Sequence, residues 1–538
     1  MKFTSFIQFS RISFLIIAFF FSKSIITGQV FSEYKASSIA ENFVNHYSNN
    51  IANYNIKGAK LIDLGENNSV YLFQLNPIGF LLVSANNFDV IGFSFENNFS
   101  LKESKLKLVS SFLNEEKNTH RQTDLFRNPN NRTVGPLVKS LYGQVNCYDN
   151  DDKLINVSNL FTPNNYAPGC VAVSLSTLLQ YYQWPIKGMG KHKYSDNKGS
   201  SNGTYQVDYG KTEYEWENIL DRYNYKNTSL KQREALGELV YHSAVALDMD
   251  FEFNGSTSNV NRIPKAGKNY FRFIAREVPA SSFIFWKTVD SNLVHKTPVI
   301  FSISASNGAG HSIVCDGFKY DNGSEYHHVN MGWWGTSNGW YKIRNGFKVG
   351  GYNKIDHGII DFIPTPMLNE LQINNDSTEF SITWNVSKVL LPETFELQYK
   401  TDESGWTKIS DTLTAHYFSM DIDPEIKEYT FRVKAKVNGK WYTDSWSNTV
   451  KYIKHSTAND DVFVGKADFY PNPFHNQINI KLNGEYTISL YSSEGRLIYS
   501  KIESGMCIVK TNNLPKGMYI LKLQNKSKLF VSKLIKPD

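Results

Sequence analysis

Gly169-Cys170-Val171-Ala172-Val173-Ser174-Leu175-Ser176-Thr177-Leu178-Leu179-Gln180-Tyr181-Tyr182-Gln183-Trp184-Pro185 is the stretch that decides the fold of the chain's central part. Val171, Leu175, Leu178 and Tyr182 recur at helical spacing, and Trp184-Pro185 stops the pattern because proline cannot continue a helix. Cys170 therefore falls at a helix N-terminus. There the unpaired N–H groups and the helix dipole favour a thiolate, the nucleophilic form of cysteine. By itself a cysteine at a helix start is equally a small buried residue.

Its distant partners shift that balance. His311 stands in Gly310-His311-Ser312-Ile313-Val314-Cys315-Asp316-Gly317. It follows Cys170 by about 140 residues, within the roughly 130–150 at which papain-type enzymes carry their base. A strand from His311 to Tyr320 meets the turn signal Asp321-Asn322-Gly323, and a second strand, Tyr326–Met331, carries Asn330. A hairpin brings His311 and Asn330 within a few rungs of one another, with the register left open. Thiolate, imidazole and orienting amide are the trio that nucleophilic acyl transfer asks for. Gln144, in Tyr142-Gly143-Gln144, offers a side-chain N–H to an oxyanion beside the backbone N–H of Cys170.

With these residues in place the chain resembles the streptopain family of papain-like cysteine peptidases, which are secreted as zymogens. The matching stretches are Pro136-Leu137, Tyr142-Gly143-Gln144, Gly169-Cys170-Val171-Ala172, Tyr181, Trp184-Pro185, Asp248-Met249-Asp250, Gly310-His311, Asp316-Gly317, His328-Val329-Asn330 and Gly332-Trp333. The run Gly79–Ala85 looks like the family's propeptide. The resemblance implies Cys170 as nucleophile, His311 as general base and acid, Gln144 as oxyanion donor and Asn330 as the residue orienting the histidine. By position in the family it also implies Gly255, Ser256 and Thr257 as a wall of the substrate cleft, with Trp333 beside it. One position departs: Met331 stands where the family usually has tryptophan, which leaves Trp333 or Trp334 to cover the histidine.

The flanks read as separate units. Length divided by roughly 150 residues per domain gives three or four domains. Lys2 and Arg11 ahead of the short apolar run Ile12–Phe21 make residues 1–28 a secretory signal peptide, too short to span a bilayer. Residues 29–130 form the expected inhibitory propeptide, with a helix bearing Ala40, Phe43, Val44 and Tyr47 and strands at Tyr71–Leu75 and Phe80–Ser84. They close in a polar joint, Glu115–Arg132. Residues 134–363 are the peptidase domain. Residues 366–455 alternate with period two and resemble a fibronectin type III domain, through Trp384, Tyr399 and Tyr429–Val433. Beyond the linker Lys454–Asp461, residues 462–538 resemble type IX secretion sorting domains, through Tyr470-Pro471-Asn472-Pro473-Phe474 and Leu514–Tyr519. The expected fold class is α+β: a papain-like cysteine peptidase domain with an N-terminal propeptide, followed by all-β sandwich modules.

Composition narrows the function. A net charge of +6 over 538 residues with no basic run argues against nucleic acid, and four cysteines exclude a disulfide framework. No cofactor is expected. No metal is expected either, since Cys315 shares a strand face with His311 but lacks any paired ligand spacing. Cys147 and Cys507 read as buried or semi-buried thiols, His328 as a support of the hairpin and His327 as facing out. The expected partners are protein or peptide substrates and the type IX secretion machinery, without a stable membrane span, and the expected location is secreted or at the cell surface. Two other functions fit the same residues: a catalytically impaired homologue serving as a surface binding protein, and an amidase or transglutaminase using the same trio.

Overall fold

The computed structural model describes residues 32–47, 54–63, 69–99, 132–224, 227–321, 323–344, 352–373, 378–453, 468–525 and 529–537. The signal peptide, the joint up to residue 131 and the linker Lys454–Asp461 lie outside the described residues.

Residues 32–47 are a helix, α1, followed by strands β1 (Asn55–Asp63), β2 (Ser69–Asn76), β3 (Phe80–Ser84) and β4 (Val90–Ser94). Ala40 and Val44 are buried, and Phe43 and Tyr47 pack edge-on and tilted against Phe93 at 4.9 and 5.5 Å, so the helical face read from the sequence is the face that packs on this meander. The meander does not stand alone. β4 pairs antiparallel with Gly339–Tyr341, the edge strand of the central sheet, at Trp340↔Phe93 and Tyr341↔Gly92. A single antiparallel sheet of 11 strands results. From the edge strand inward it continues through the return strand (Ser324–Asn330), the histidine strand (Gly310–Asp321), Val299–Ser304, Lys354–Pro364 and Phe273–Pro279.

Helix α2 (Cys170–Tyr182) runs between this sheet and helix α3 (Leu230–Ala246). Every residue of α2 is buried except Cys170 and Tyr181, so it is a core helix covered on all sides rather than a half-exposed amphipathic one. Its two serine hydroxyls are bonded inside the core. Ser176 Oγ donates to the Ala172 carbonyl at 2.8 Å and lies 3.0 Å from Ser243 Oγ. α3 begins with a capping box, in which Ser229 and Gln232 satisfy each other's backbone N–H groups.

The hairpin register is set by a bulge. Val314 pairs with Asn330 and Cys315 with Val329, then the register slips so that Gly317 faces His328. The extra residue is Asp316, fully buried. Its carboxylate accepts from Val138 N–H at 2.9 Å and lies 2.6 Å from His328 Nδ1. His328 thus supports the hairpin as expected, but His327 does not face out. It is completely buried, 3.1 Å from Asp290, between the rings of Trp286 and Phe318. Helix Phe285–Val294 covers that face of the sheet as well, so alternation no longer separates inside from outside. Arg344 donates to both Asp290 and Glu325 beside it and occupies the space between the two carboxylates.

The C-terminal region is β-rich. Residues 367–453 form two sheets whose cores meet through Phe380, edge-on to Tyr429 and Phe431 at 5.1 and 5.4 Å. This unit packs on the central part of the chain: Ser387 Oγ donates to the carbonyl of Tyr182, the last residue of α2, at 2.9 Å. The buried Arg272 donates to Asn448 at 2.9 Å. Residues 468–536 make a separate five-stranded sheet around Phe474, Ile480, Ile488, Leu521 and Leu534.

Candidate active site

Gly169 precedes α2 with φ of +88°, a backbone that glycine alone adopts readily. A Cβ at this position would lie 2.7 Å from the Met249 sulfur and 3.0 Å from the Ser256 carbonyl oxygen. The glycine therefore lets the loop that carries Ser256 pass directly beside Cys170. That loop is held by a two-way backbone pairing of Asp250 with Thr257, each donating at 2.9 Å, and Ser256 Oγ accepts from Glu252 N–H. Gly255 at the tip has φ of +127° and open space around it.

Far along the chain but packed against α2, the histidine strand delivers the second group. Ser312 Oγ donates to Ser174 Oγ at 3.0 Å, both buried. Ser174 lies one helical turn beyond Cys170 and Ser312 directly follows His311, so this bond fixes the helix of Cys170 against the strand of His311. The Ser312 backbone N–H also faces the Cys170 sulfur, as do the N–H groups of Cys170 and Val171 at the helix start. Burial pushes the thiol above its usual range while these three donors pull the other way. His311 is buried, and burial drives its imidazole down to about 4, with the Met331 carbonyl opposing.

That carbonyl is the orienting group. His311 Nε2–H donates to Met331 O at 2.9 Å, which leaves Nδ1 as the lone-pair nitrogen. Asn330 bonds elsewhere: its Nδ2 donates to Ser140 O at 2.8 Å and its Oδ1 accepts from Gly332 N–H at 3.1 Å. It shapes the turn that presents the neighbouring carbonyl. Met331 N–H in turn donates to Asn338 Oδ1 at 2.8 Å. Because the histidine is held by a main-chain oxygen, methionine at 331 serves as buried filling, completely covered. Trp333 covers the imidazole, its ring stacked at 5.1 Å, whereas the Trp334 indole donates to Val145 O at 3.0 Å.

Gln144 sits in the strip that these tryptophans clamp. Gly143 pairs with Trp333, and Trp334 N–H donates to Tyr142 O at 3.1 Å. Cys147 and Cys315 are buried free thiols and Cys507 a partly buried one on the C-terminal sheet. Asn338, the Ser174–Ser312 bond and Tyr352, whose ring also stacks on His311, were not apparent from the sequence. For Asn338 a signal was present, the turn-type cluster Gly335-Thr336-Ser337-Asn338-Gly339.

The chain is similar to known proteins over three stretches. The Peptidase C10 family model matches residues 142–341, the secretion system C-terminal sorting domain model residues 468–537 and the Spi protease inhibitor model residues 28–120. Streptopain of Streptococcus pyogenes is 25% identical over 335 residues, covering 55% of this chain and 81% of that protein. The thiol protease/hemagglutinin PrtT of Porphyromonas gingivalis is 25% identical over 265 residues, 46% of this chain and 29% of that protein. Among solved structures, active interpain A cysteine protease of Prevotella intermedia is 26% identical, over 43% of this chain and 94% of that one, with a TM-score of 0.37. No helix among the described residues is long and apolar enough to cross a membrane, and the sorting domain marks the protein as secreted or held at the cell surface. With a Peptidase C10 match that contains the Cys170 helix, a C-terminal sorting domain match and thiol protease relatives, the chain is a cysteine peptidase similar to streptopain.

Proposed function

We propose that this protein is an endopeptidase made as a latent precursor and activated after export. The observation that carries the reading is the convergence of Cys170, at the N-terminus of α2, with the strand of His311, the Ser312 N–H facing the sulfur. In the reaction the Cys170 thiolate attacks the scissile carbonyl carbon. The oxyanion is held by the Cys170 backbone N–H and the Gln144 side-chain N–H. His311 passes its proton to the departing amine, leaving a thioester. Water then attacks the thioester, giving its proton to His311, and the acid product leaves as the thiolate reforms. Asn330 positions the histidine through the Met331 carbonyl. Gly255, Ser256, Thr257 and Trp333 line the substrate cleft; the passage of the Ser256 carbonyl beside Gly169 supports that assignment.

In this reading residues 29–130 are the inhibitory propeptide, 134–363 the papain-like domain, 366–455 a fibronectin type III-like module and 462–538 the sorting domain. Latency is supported by a chain of contacts. Asn98 O accepts from Ser337 N–H at 3.1 Å, Asn338 next to it holds Met331, and Met331 holds His311. Burial raises the thiol and lowers the imidazole, so both groups favour the uncharged state, which is the unreactive one. The test is hydrolysis of unfolded casein by the matured protein. Cleavage should require a reducing agent and ignore chelators. Binding of casein without cutting it would favour the surface binding protein instead, and acyl transfer to amines without hydrolysis the transglutaminase.

Removing residues 468–537 should separate address from chemistry. They form their own sheet with their own core, so the truncated protein is expected to fold and cleave. In cell fractionation it should remain in the periplasm. Undiminished appearance outside the cell would contradict the role of this unit in export.

A further inference from the structure

Two aromatic rings flank the imidazole of His311. Trp333 stacks on it at 5.1 Å with planes 25° apart, and Tyr352 at 5.3 Å with planes 19° apart. Tyr352 is half-buried and enters the strand Lys354–Pro364, where Asn353 N–H donates to Ser304 O at 2.9 Å and ties it to the strand beside His311. Its phenol is pushed up to about 12, by burial first and then by the charge of Cys170, so it stays neutral through the working range while lying in the field of the sulfur. It therefore stacks on the histidine while lying in the field of the cysteine.

A buried imidazole is driven toward its neutral form, and a thiolate–imidazolium pair needs the opposite. The groups in contact with His311 are Met331 O and Trp333 from the loop after the return strand, and Tyr352; its neighbours on its own strand, Gly310 and Ser312, are uncharged, and Ser312 N–H turns to Cys170 of α2. Against burial, the Met331 carbonyl raises the proton affinity of His311. An aromatic face attracts a cation within about 6 Å of its centroid, and both rings lie inside that range. We propose that Tyr352 is a positioning residue whose ring, stacked on His311, keeps the imidazole in plane and favours the imidazolium form of the Cys170–His311 pair. This rests on the thiolate mechanism above.

The proposal predicts which limb of the pH profile moves. On the acid side the thiol ionises next to an imidazolium in both states, so the ring makes no difference to that step. On the alkaline side the imidazolium loses its proton, and a ring that stabilises the cation delays the loss. The experiment compares enzyme matured from the full chain, as parent, Tyr352→Phe and Tyr352→Leu, by kcat/KM against pH on one peptide. In Tyr352→Leu the alkaline limb should fall by about half to one pH unit, the size of one cation–π contact. In Tyr352→Phe it should stay where the parent has it, and the acid limb should stay in all three. Should the leucine variant not fold, Tyr352→Met fills the volume without a ring face and gives the same reading. The rate of Cys170 alkylation by iodoacetamide is followed over the same range, because it needs no turnover. A parent Cys170 without thiolate reactivity below the ordinary thiol range would overturn the thiolate mechanism itself. An unmoved alkaline limb in the leucine variant overturns the role of Tyr352, as does a phenylalanine variant that shifts with it. A fall in kcat with both limbs in place marks a merely structural ring and overturns it too.

Discussion

Cys170→Ala is expected to lower peptide hydrolysis by about 10⁴-fold or more, since the nucleophile and its base act as one unit and removing either forfeits the covalent route. The substitution removes a single sulfur from a partly exposed helix start, so the fold should hold. The second consequence is visible on a gel. If the enzyme cuts itself, the alanine variant should accumulate with residues 29–130 still attached. Added wild-type enzyme should then trim it at the joint ahead of Arg132, where β5 (Arg132–Val134) joins the histidine strand. Mass spectrometry of both proteins decides the matter. An alanine variant, purified without other proteases, that matures at the same bond would show that another enzyme does the cutting. A wild-type protein fully active with residues 29–130 attached would remove the inhibitory role.

The largest structural effect should come from Asp316→Ala. The residue is fully buried and serves three partners at once: Asp316 Oδ1 pairs with His328 Nδ1, Oδ2 accepts from Val138 N–H, and the main-chain carbonyl accepts from Leu137 N–H. Alanine keeps only the last. It strands a buried imidazole and a buried N–H, and breaking such a pair costs about 3–5 kcal/mol. For a unit of this size that corresponds to a fall in Tm of roughly 6–20 °C. Asp316→Asn retains an acceptor and a donor in nearly the same volume and should lose markedly less. Equal losses for the two variants in a thermal melt would show that the volume, and not the hydrogen bonds, is what the site needs.

Asp316 also shows where sequence reading stops. Helix α2 was legible almost to the residue, because its apolar period and its terminating Trp184-Pro185 are local signals. The hairpin was legible from its turn. Its register was not, because the bulge at Asp316 answers to Val138, far off in the sequence, and no local pattern encodes that bond. His327 was misplaced for a related reason: alternation assumes one wet face, and both faces of the return strand are covered. The spacing that singled out Asn330 led to the right turn but the wrong atom. The hydrogen bond to His311 comes from a main-chain carbonyl, a group every residue owns and no motif can advertise. Tyr352 had no signal at all; its ring reaches His311 only because the strand Lys354–Pro364 lies beside Val299–Ser304 in the folded sheet. The N-terminal unit was recognisable, whereas its attachment through the edge strand Gly339–Tyr341 was a property of two sheet edges that only the fold brings together.

The measurement closest to the central claim is a titration of the matured enzyme with iodoacetamide. Residual casein hydrolysis and the alkylated fraction of each cysteine peptide are read from the same samples. Cys147 and Cys315 are buried and Cys507 lies on the C-terminal sheet, so Cys170 is the thiol whose loss should matter. The account predicts that activity falls in direct proportion to modification of Cys170 and reaches zero when that residue is fully alkylated. Undiminished hydrolysis with Cys170 fully alkylated, or loss of activity that follows Cys507 instead, would contradict it.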